Sequence, residues 1–357
     1  MKHLLLLLLL LPLCCFAQLK VRGKVVNATD GKPVPDASVF LNNATIGTKS
    51  GQDGSFVLRQ LRPGQYDMVV SVVGYERYSV AIMVDNDMVL PDVKLVAKVM
   101  MLKPVTIGNS QRWKQLKEFK EQFFGKSTFA MQCKLKNPEV LDLYYSDHQL
   151  KLTGQSDDFL EIDNNALGYK LKYLLNSFVL DKEAGQVAYE GSVLFEEKAG
   201  TLADSLRWKK NRLTVYNGSV THFLREVLAG NVEQDYMVRN YCINWKDETN
   251  GQFVYDTLRA TDYVHRTERR GVFAMSNDDN IEIFYFKTRY SPGYGFVDRS
   301  KRPGTRVATI SFIDKYLLFD SNGTILNPLG ARFDQAWGVT RVAQLLPIDY
   351  RPPVDKL

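Results

Sequence analysis

Beyond residue 18 the chain has three histidines, His148, His222 and His265. His222 stands in GSVTHFLREVL, where Ser219 and His222 share one face of a helix. That is the reach a hydroxyl nucleophile needs to its general base, but such a pair also needs an orienting carboxylate and an oxyanion site. Neither is legible near it. His148 has the strand parity of Leu150 and Leu152, which predicts a buried, hydrogen-bonded imidazole. His265 sits among Arg266, Arg269 and Arg270, whose charge repels a metal cation. The sequence lacks HExxH and any spaced set of Cys and His, so a zinc site is not expected. Gly125-Lys126-Ser127 reads like the end of a phosphate-binding loop, but Lys120 stands where the earlier glycine is required. The acidic pairs Asp157-Asp158, Glu196-Glu197 and Asp278-Asp279 are adjacent. Neighbours on a strand point to opposite faces, so they make poor acid–base partners. No catalytic residue, metal or cofactor is expected.

One segment has the composition of a recognition loop. RYSPGYGFVDRSKRPGTR, over residues 289–306, carries Arg289, Arg299, Lys301, Arg302 and Arg306 against the single acid Asp298. Tyr290, Tyr294 and Phe296 interleave among its glycines and prolines. Aromatic faces beside guanidinium groups can stack a sugar ring or grip an anionic glycan. Arg289, Tyr290, Tyr294, Arg299 and Arg302 are therefore the candidate ligand-binding residues. The bland alternative is a solvated loop whose aromatic rings pack down on a sheet.

The 357 residues carry a formal charge of +6, which over this length does not argue for nucleic acid. Residues 1–17, MKHLLLLLLLLPLCCFA, have a basic start, an apolar run and a small-residue end, the pattern of a secretory signal peptide. A lipoprotein acylated at Cys14 or Cys15 is the rival, with the larger Leu13 and Cys14 poorly placed before such a site. No later stretch approaches the ~20 apolar residues of a membrane helix, so none is expected after signal cleavage. Outside the signal, Cys133 and Cys242 lie in strand-like runs. A disulfide between them is open in an oxidising compartment and would close a loop of ~100 residues; buried free thiols are the alternative.

The elements that must position these residues fall into two patterns. From Leu19 to Ala97 apolar residues recur at every second position, as in Val39 and Leu41, Phe56 and Leu58, or Tyr66, Met68 and Val70. Turns rich in Gly, Asp and Pro punctuate them, among them Gly51-Gln52-Asp53-Gly54 and Arg62-Pro63-Gly64. About seven short strands at this spacing predict a small sandwich. After Gly108 the pattern changes. Ser110 caps a predicted helix with Trp113, Leu116, Phe119 and Phe123 on one face, ended by Gly125. Strands follow at 129–135, 141–145, 149–153, 159–163, 168–180 and 186–196, then helix over 202–228 broken at Asn217-Gly218. Strand patterns return at 280–288 and 307–318, and a short last helix stops at Pro347.

GKVVNATDGKPVPDASVFL followed by TIGTKSGQDGSFVLRQLRPGQYDMVVSVVGYE resembles the carboxypeptidase-like regulatory domain found in envelope proteins of Bacteroidota. The resemblance covers about residues 19–95 and implies a transthyretin-like β-sandwich. In that family the domain accompanies peptidases, receptors and many exported proteins, so it does not imply peptidase activity. MLKPVTIG resembles the short strand that follows the domain in outer-membrane receptors. NNALGYKLKYLL, YEGSVLFEE and RVAQLLPIDYRP resemble a domain found behind the same sandwich, with no assigned reaction.

The chain is thus expected to be mainly β. A signal peptide spans 1–17 and a seven-stranded transthyretin-like sandwich 18–98. A linker strand covers 99–109 and a larger antiparallel α+β domain 110–350. The expected function is an exported, non-enzymatic binding or accessory protein of the cell envelope, its partner a glycan or an envelope protein. A hydrolase with its site in the second domain and a purely structural envelope protein are the alternatives. Intact-mass measurement of the protein from its native envelope should give a mature start at Gln18. A diacylglyceryl mass on Cys14 or Cys15 would replace this with the lipoprotein.

Overall fold

The computed structural model describes residues 19–98, 109–245, 251–254, 256–286 and 305–353. Its first body is a sandwich of β1 (Leu19–Asn27), β2 (Ser38–Leu41), β3 (Gly47–Lys49), β4 (Ser55–Leu61), β5 (Gly64–Ser71), β6 (Tyr78–Val84), β7 (Met88–Val89) and β8 (Val93–Leu95). One sheet runs β4-β1-β7, with β8 also on β1; the other runs β3-β2-β5-β6. The alternation read from the sequence fills the space between them. Val21, Val25, Val39, Leu41, Phe56, Leu58, Met68 and Val70 form one buried cluster. The strands number eight where seven were expected, because β1 pairs in parallel with two short strands, β7 along its first half and β8 along its second. Gly54 has φ +78, and a Cβ there would lie 2.4 Å from the Val25 carbonyl oxygen, so this turn admits only glycine.

The second body joins α1 (Asn109–Phe124) to β9 (Cys133–Leu135), β10 (Leu141–Ser146), β11 (Lys151–Ser156), β12 (Leu160–Asn164), β13 (Tyr169–Asp181) and β14 (Gln186–Glu197). All pairings are antiparallel. β13 is long enough for β12 to pair with its start, β11 with its end and β14 with nearly its whole length. Leu116, Phe119 and Phe123 of α1 face this sheet, and Phe119 stacks edge-on against Phe178 with ring centroids 4.8 Å apart. Trp113, expected on the same stripe, is 70% exposed; the buried stripe begins at Leu116.

A third body comes next. It follows α2 (Leu202–Tyr216), which bonds the second body through Trp208, Asn211 and Arg212, and holds α3 (Val220–Ala229), β15 (Tyr236–Trp245), β16 (Gly251–Val254), β17 (Thr257–Leu258), β18 (Val264–Arg266), β19 (Val272–Met275), β20 (Asn280–Tyr285), β21 (Arg306–Phe312), β22 (Leu317–Asp320) and β23 (Ala331–Asp334). A capping box between Thr201 and Asp204 starts α2, and Ser219 caps α3, which is why the predicted helix breaks at Asn217-Gly218. β16, β15, β20, β21 and β23 form one sheet in that order, with β17 beside β15; β18, β19 and β22 form a smaller one. The core here is separate from that of the second body, so residues 110–350 contain two hydrophobic cores. The predicted last helix is two short turns, Gln335–Gly338 and Val342–Gln344.

Of the two alternatives left open for Cys133, a bridge to Cys242 or a free thiol, the structure has the free thiol. Cys133 is a free thiol on β9, packed against the second core, whereas Cys242 lies on β15 of the third body. Burial pushes the Cys133 thiol up to about 12.

The sandwich is docked, not tethered. Phe40 and Val69 stand on the face of β2 and β5 opposite the sandwich core, and both are buried against Leu174 of β13, with Phe159 and Leu194 alongside. Each such burial contributes about 1.5–3 kcal/mol. The loop after β2 extends the contact through its backbone. The Asn43 amide donates to the Val193 carbonyl at 2.7 Å, and the Phe195 amide donates to Ala44 at 2.9 Å. Against the third body the approach is closer still. A Cβ on Gly64 would lie 2.3 Å from Asn322 Nδ2 and 2.9 Å from an Asp320 carboxylate oxygen. Gly64→Ala should therefore cost about 1–3 kcal/mol through overpacking at this seam, read as a fall in melting temperature of the full chain. An unchanged melt would show that the seam carries no strain.

Candidate functional site

Residues 347–353 follow Val342, Ala343, Leu345 and Leu346, which pack on the second core, and run across the place where all three bodies meet. This segment has no strand partner, so its carbonyls need side-chain donors if they are to be covered. Arg225, on α3, supplies them. Its Nη2 donates to the Ile348 carbonyl at 2.8 Å, its Nη1 to Tyr350 at 3.0 Å and its Nε to Asn322 at 2.7 Å. Arg351 turns back on the same segment, donating to the Ile348 and Tyr350 carbonyls at 3.0 and 2.9 Å and to Asn322 Oδ1 at 2.8 Å. The planar five-donor fork of arginine suits this task, and a lysine does not.

Asn322 is the hub between bodies. Its Nδ2 donates to the Pro63 carbonyl of the sandwich at 3.1 Å, and its amide donates to Asp320 Oδ1 at 2.9 Å. Asp320 is fully buried and also accepts the Thr324 amide. On the other side of the segment, the Ile348 amide donates to Asn43 at 2.7 Å and the Asp349 carboxylate accepts both the amide and the hydroxyl of Thr45. Burial first, and the neighbouring Arg225 and Arg62 cations next, lower the Arg351 guanidinium to about 10.

Beside this segment opens a cleft of about 310 Å³. Pro347, Tyr350 and Pro353 form one wall; Tyr169, Glu197, Lys209 and Arg212 form the other. Arg212 lies over the Tyr169 ring, 3.9 Å from its centroid, and donates to the Leu167 carbonyl at 2.7 Å and to Glu197 Oε1 at 2.8 Å. Asp349 and Glu197 thus already have donors. Lys209 is exposed and has no ion-pair or hydrogen-bond partner among the described residues. The Tyr350 hydroxyl is buried without a hydrogen-bond partner among the described residues.

None of the sequence-predicted candidates among the described residues lines this cleft. Arg289, Tyr290, Tyr294, Arg299 and Arg302 fall outside the described residues. Arg306, at the edge of that loop, stacks over Tyr285 at 5.0 Å and donates to the Asn217 carbonyl. His148 is corrected: it is exposed in the turn before β11, because the strand begins at Lys151 and Leu150 takes φ +50, so the parity argument fails. His265 is exposed on β18.

His222 is buried, and its Nδ1 accepts the Gly218 amide at 3.0 Å and lies 2.8 Å from the Tyr236 hydroxyl. The remaining ring proton then sits on Nε2, 3.6 Å from Glu226 and 3.9 Å from Asp235. Carboxylates therefore do approach His222, which the sequence did not reveal. Ser219, however, accepts the His222 backbone amide at 3.1 Å as the helix cap, so its hydroxyl serves the backbone and not the imidazole. The cleft residues Tyr169, Lys209, Arg212, Tyr350 and Arg351 were not singled out from the sequence. The signal available was PIDYRP, a largely polar tetrapeptide between two prolines, which is too stiff for helix and too polar for core.

Residues 21–107 match the family of the CarboxypepD_reg-like domain. No curated protein matches the chain. A type II cohesin–X-dockerin complex from Acetivibrio cellulolyticus is 16% identical, covering 28% of this chain and 72% of that one, with a TM-score of 0.21. Catechol 1,2-dioxygenase from Acinetobacter sp. ADP1 is 15% identical, covering 24% of this chain and 57% of its own, with a TM-score of 0.20. A protein of unknown function from Bacteroides fragilis NCTC 9343 is 12% identical over 84% of this chain and 92% of its own, with a TM-score of 0.17. At such scores these likenesses carry no argument about function.

Arg225→Ala should cost about 1–3 kcal/mol, since it leaves the Asn322 carbonyl without a charged donor and the Ile348 and Tyr350 carbonyls with Arg351 alone, and should expose residues 347–353 to limited proteolysis. Arg225→Lys should recover little of either, because a single ammonium cannot span the three acceptors. Full recovery by lysine would show that charge alone holds the segment.

Proposed function

We infer that a chain with a CarboxypepD_reg-like sandwich docked on two further bodies is exported and acts as a non-enzymatic binding protein of the cell envelope, with a glycan held in the junction cleft. The observation that carries this reading is the cleft itself. At about 310 Å³ it falls at the lower end of small-ligand sites and is too small to seat a protein face. Its walls combine proline and tyrosine surface with charged groups, the mixture that sugar rings meet through C–H faces and hydroxyls. Nearby, the groups with catalytic chemistry serve the fold: Ser219 caps a helix, and Asp349 holds Thr45. The basic start and apolar run over residues 1–17 support export. Glycan binding by Arg289, Tyr290, Tyr294, Arg299 and Arg302, which lie outside the described residues, is proposed separately on their composition.

Hydrogen–deuterium exchange on the intact protein, with and without polysaccharide from the native envelope, tests this. Slowed exchange is expected over 347–353 and at the 202–216 helix. Protection confined to other segments would move the site. Release of new reducing ends during the incubation would replace the binding protein with a hydrolase.

A further inference from the structure

The bonding inventory of the cleft is lopsided. Both carboxylates on its walls are already matched, Asp349 by Thr45 and Glu197 by Arg212. What remains unmatched are donors. The Lys209 ammonium has no partner among the described residues, and the Tyr350 hydroxyl is closed off from solvent without one. A buried polar group without a partner costs about 1–3 kcal/mol, so a shift of the whole Tyr350 side chain that brings its hydroxyl to a ligand acceptor recovers that cost. Behind the wall, the three cations Arg225, Arg351 and Arg62 crowd together against two acids, Asp349 and the buried Asp320. Burial is the main cause that lowers Arg351, and the adjoining Arg225 and Arg62 cations add to it. A site with unmatched donors, filled acceptors and surplus positive charge selects a ligand rich in acceptors and negative in charge. The apolar surface of Pro347, Pro353 and the Tyr350 ring adds a flat wall for a ring's C–H face.

Resting on the reading of the cleft as a glycan site, we propose that its ligand is an anionic sugar. The acid group lies on Lys209 and a ring oxygen or hydroxyl accepts from Tyr350. Calorimetric titration of the full-length mature protein at low salt tests this. The probes are glucuronate, glucose 6-sulfate and glucose 6-phosphate against uncharged methyl glucoside, which also separates the three sources of charge. At least one acidic sugar should bind about tenfold more tightly than methyl glucoside, and the advantage should shrink in 0.5 M salt, taken as roughly three times physiological ionic strength. Lys209→Ala should remove that advantage and leave methyl glucoside unchanged. Tyr350→Phe should weaken all the sugars by about three- to tenfold without lowering the melting temperature, since its hydroxyl bonds nothing in the fold. Equal affinity for methyl glucoside would overturn the anionic ligand, while the cleft would stand if Tyr350→Phe still weakened binding. Acidic-sugar affinity untouched by both substitutions would overturn the cleft as the site. No binding of any of the four sugars would overturn the anionic-sugar assignment, with envelope-polysaccharide protection over 347–353 still deciding the wider reading.

Discussion

Backbone carbonyls taken out of water must be bonded, and a segment without a strand partner cannot meet that need from its own backbone. Residues 347–353 meet it through two guanidinium groups, Arg225 from the α3 helix and Arg351 from the segment itself. The rest of the junction depends on that solution. Once Arg225 holds Ile348 and Tyr350, the Ile348 amide reaches Asn43, Asp349 reaches Thr45, and Tyr350 packs edge-on against Tyr216 at 5.6 Å. The cleft wall is a by-product of this anchoring, because Pro347, Tyr350 and Pro353 are set where the clamp leaves them.

The sandwich is therefore part of the site and not a detached module. Its second sheet is buried on both faces, toward its own core by Val39, Leu41, Met68 and Val70, and toward the second body by Phe40 and Val69. Two faces of burial fix the sandwich in orientation as well as in place, since the β2–β3 loop adds a short parallel bridge from Ala44 to Leu194. Thr45, which anchors Asp349, hangs from that same loop. Loss of the sheet contact would therefore disturb the cleft at a distance.

Much of the local structure was legible in the residues. The alternation through Phe56, Leu58, Tyr66 and Met68 marked strands whose side chains fill the first core. The long run over 168–180 became β13, and the break at Asn217-Gly218 became two helices because Ser219 caps the second. The failures share a cause. His148 was placed by parity in a strand that starts three residues later, and Gly64 was read as a turn glycine when it marks close approach by Asn322. Phe40 and Val69 broke the alternation of their strands, a visible sign of a second buried face whose meaning depended on a partner far along the chain. The junction was illegible for the same reason: Arg225 and Ile348, or Thr45 and Asp349, share no period and no motif. The loop residues chosen for their chemistry lie outside the described residues, and the cleft was assembled from side chains that look ordinary one at a time.

The bond between Thr45 and Asp349 joins positions 304 residues apart. On a ribosome making this chain, both ends of that contact exist only when synthesis has passed residue 349. Until then the sandwich can pair its strands and the two later cores can collect their own apolar residues, but no bond yet ties residue 45 to the far end of the chain. A released chain cut short at residue 340 would hold every strand named above and no cleft. Closure of the junction thus waits on synthesis past residue 349, whatever the earlier bodies have already built.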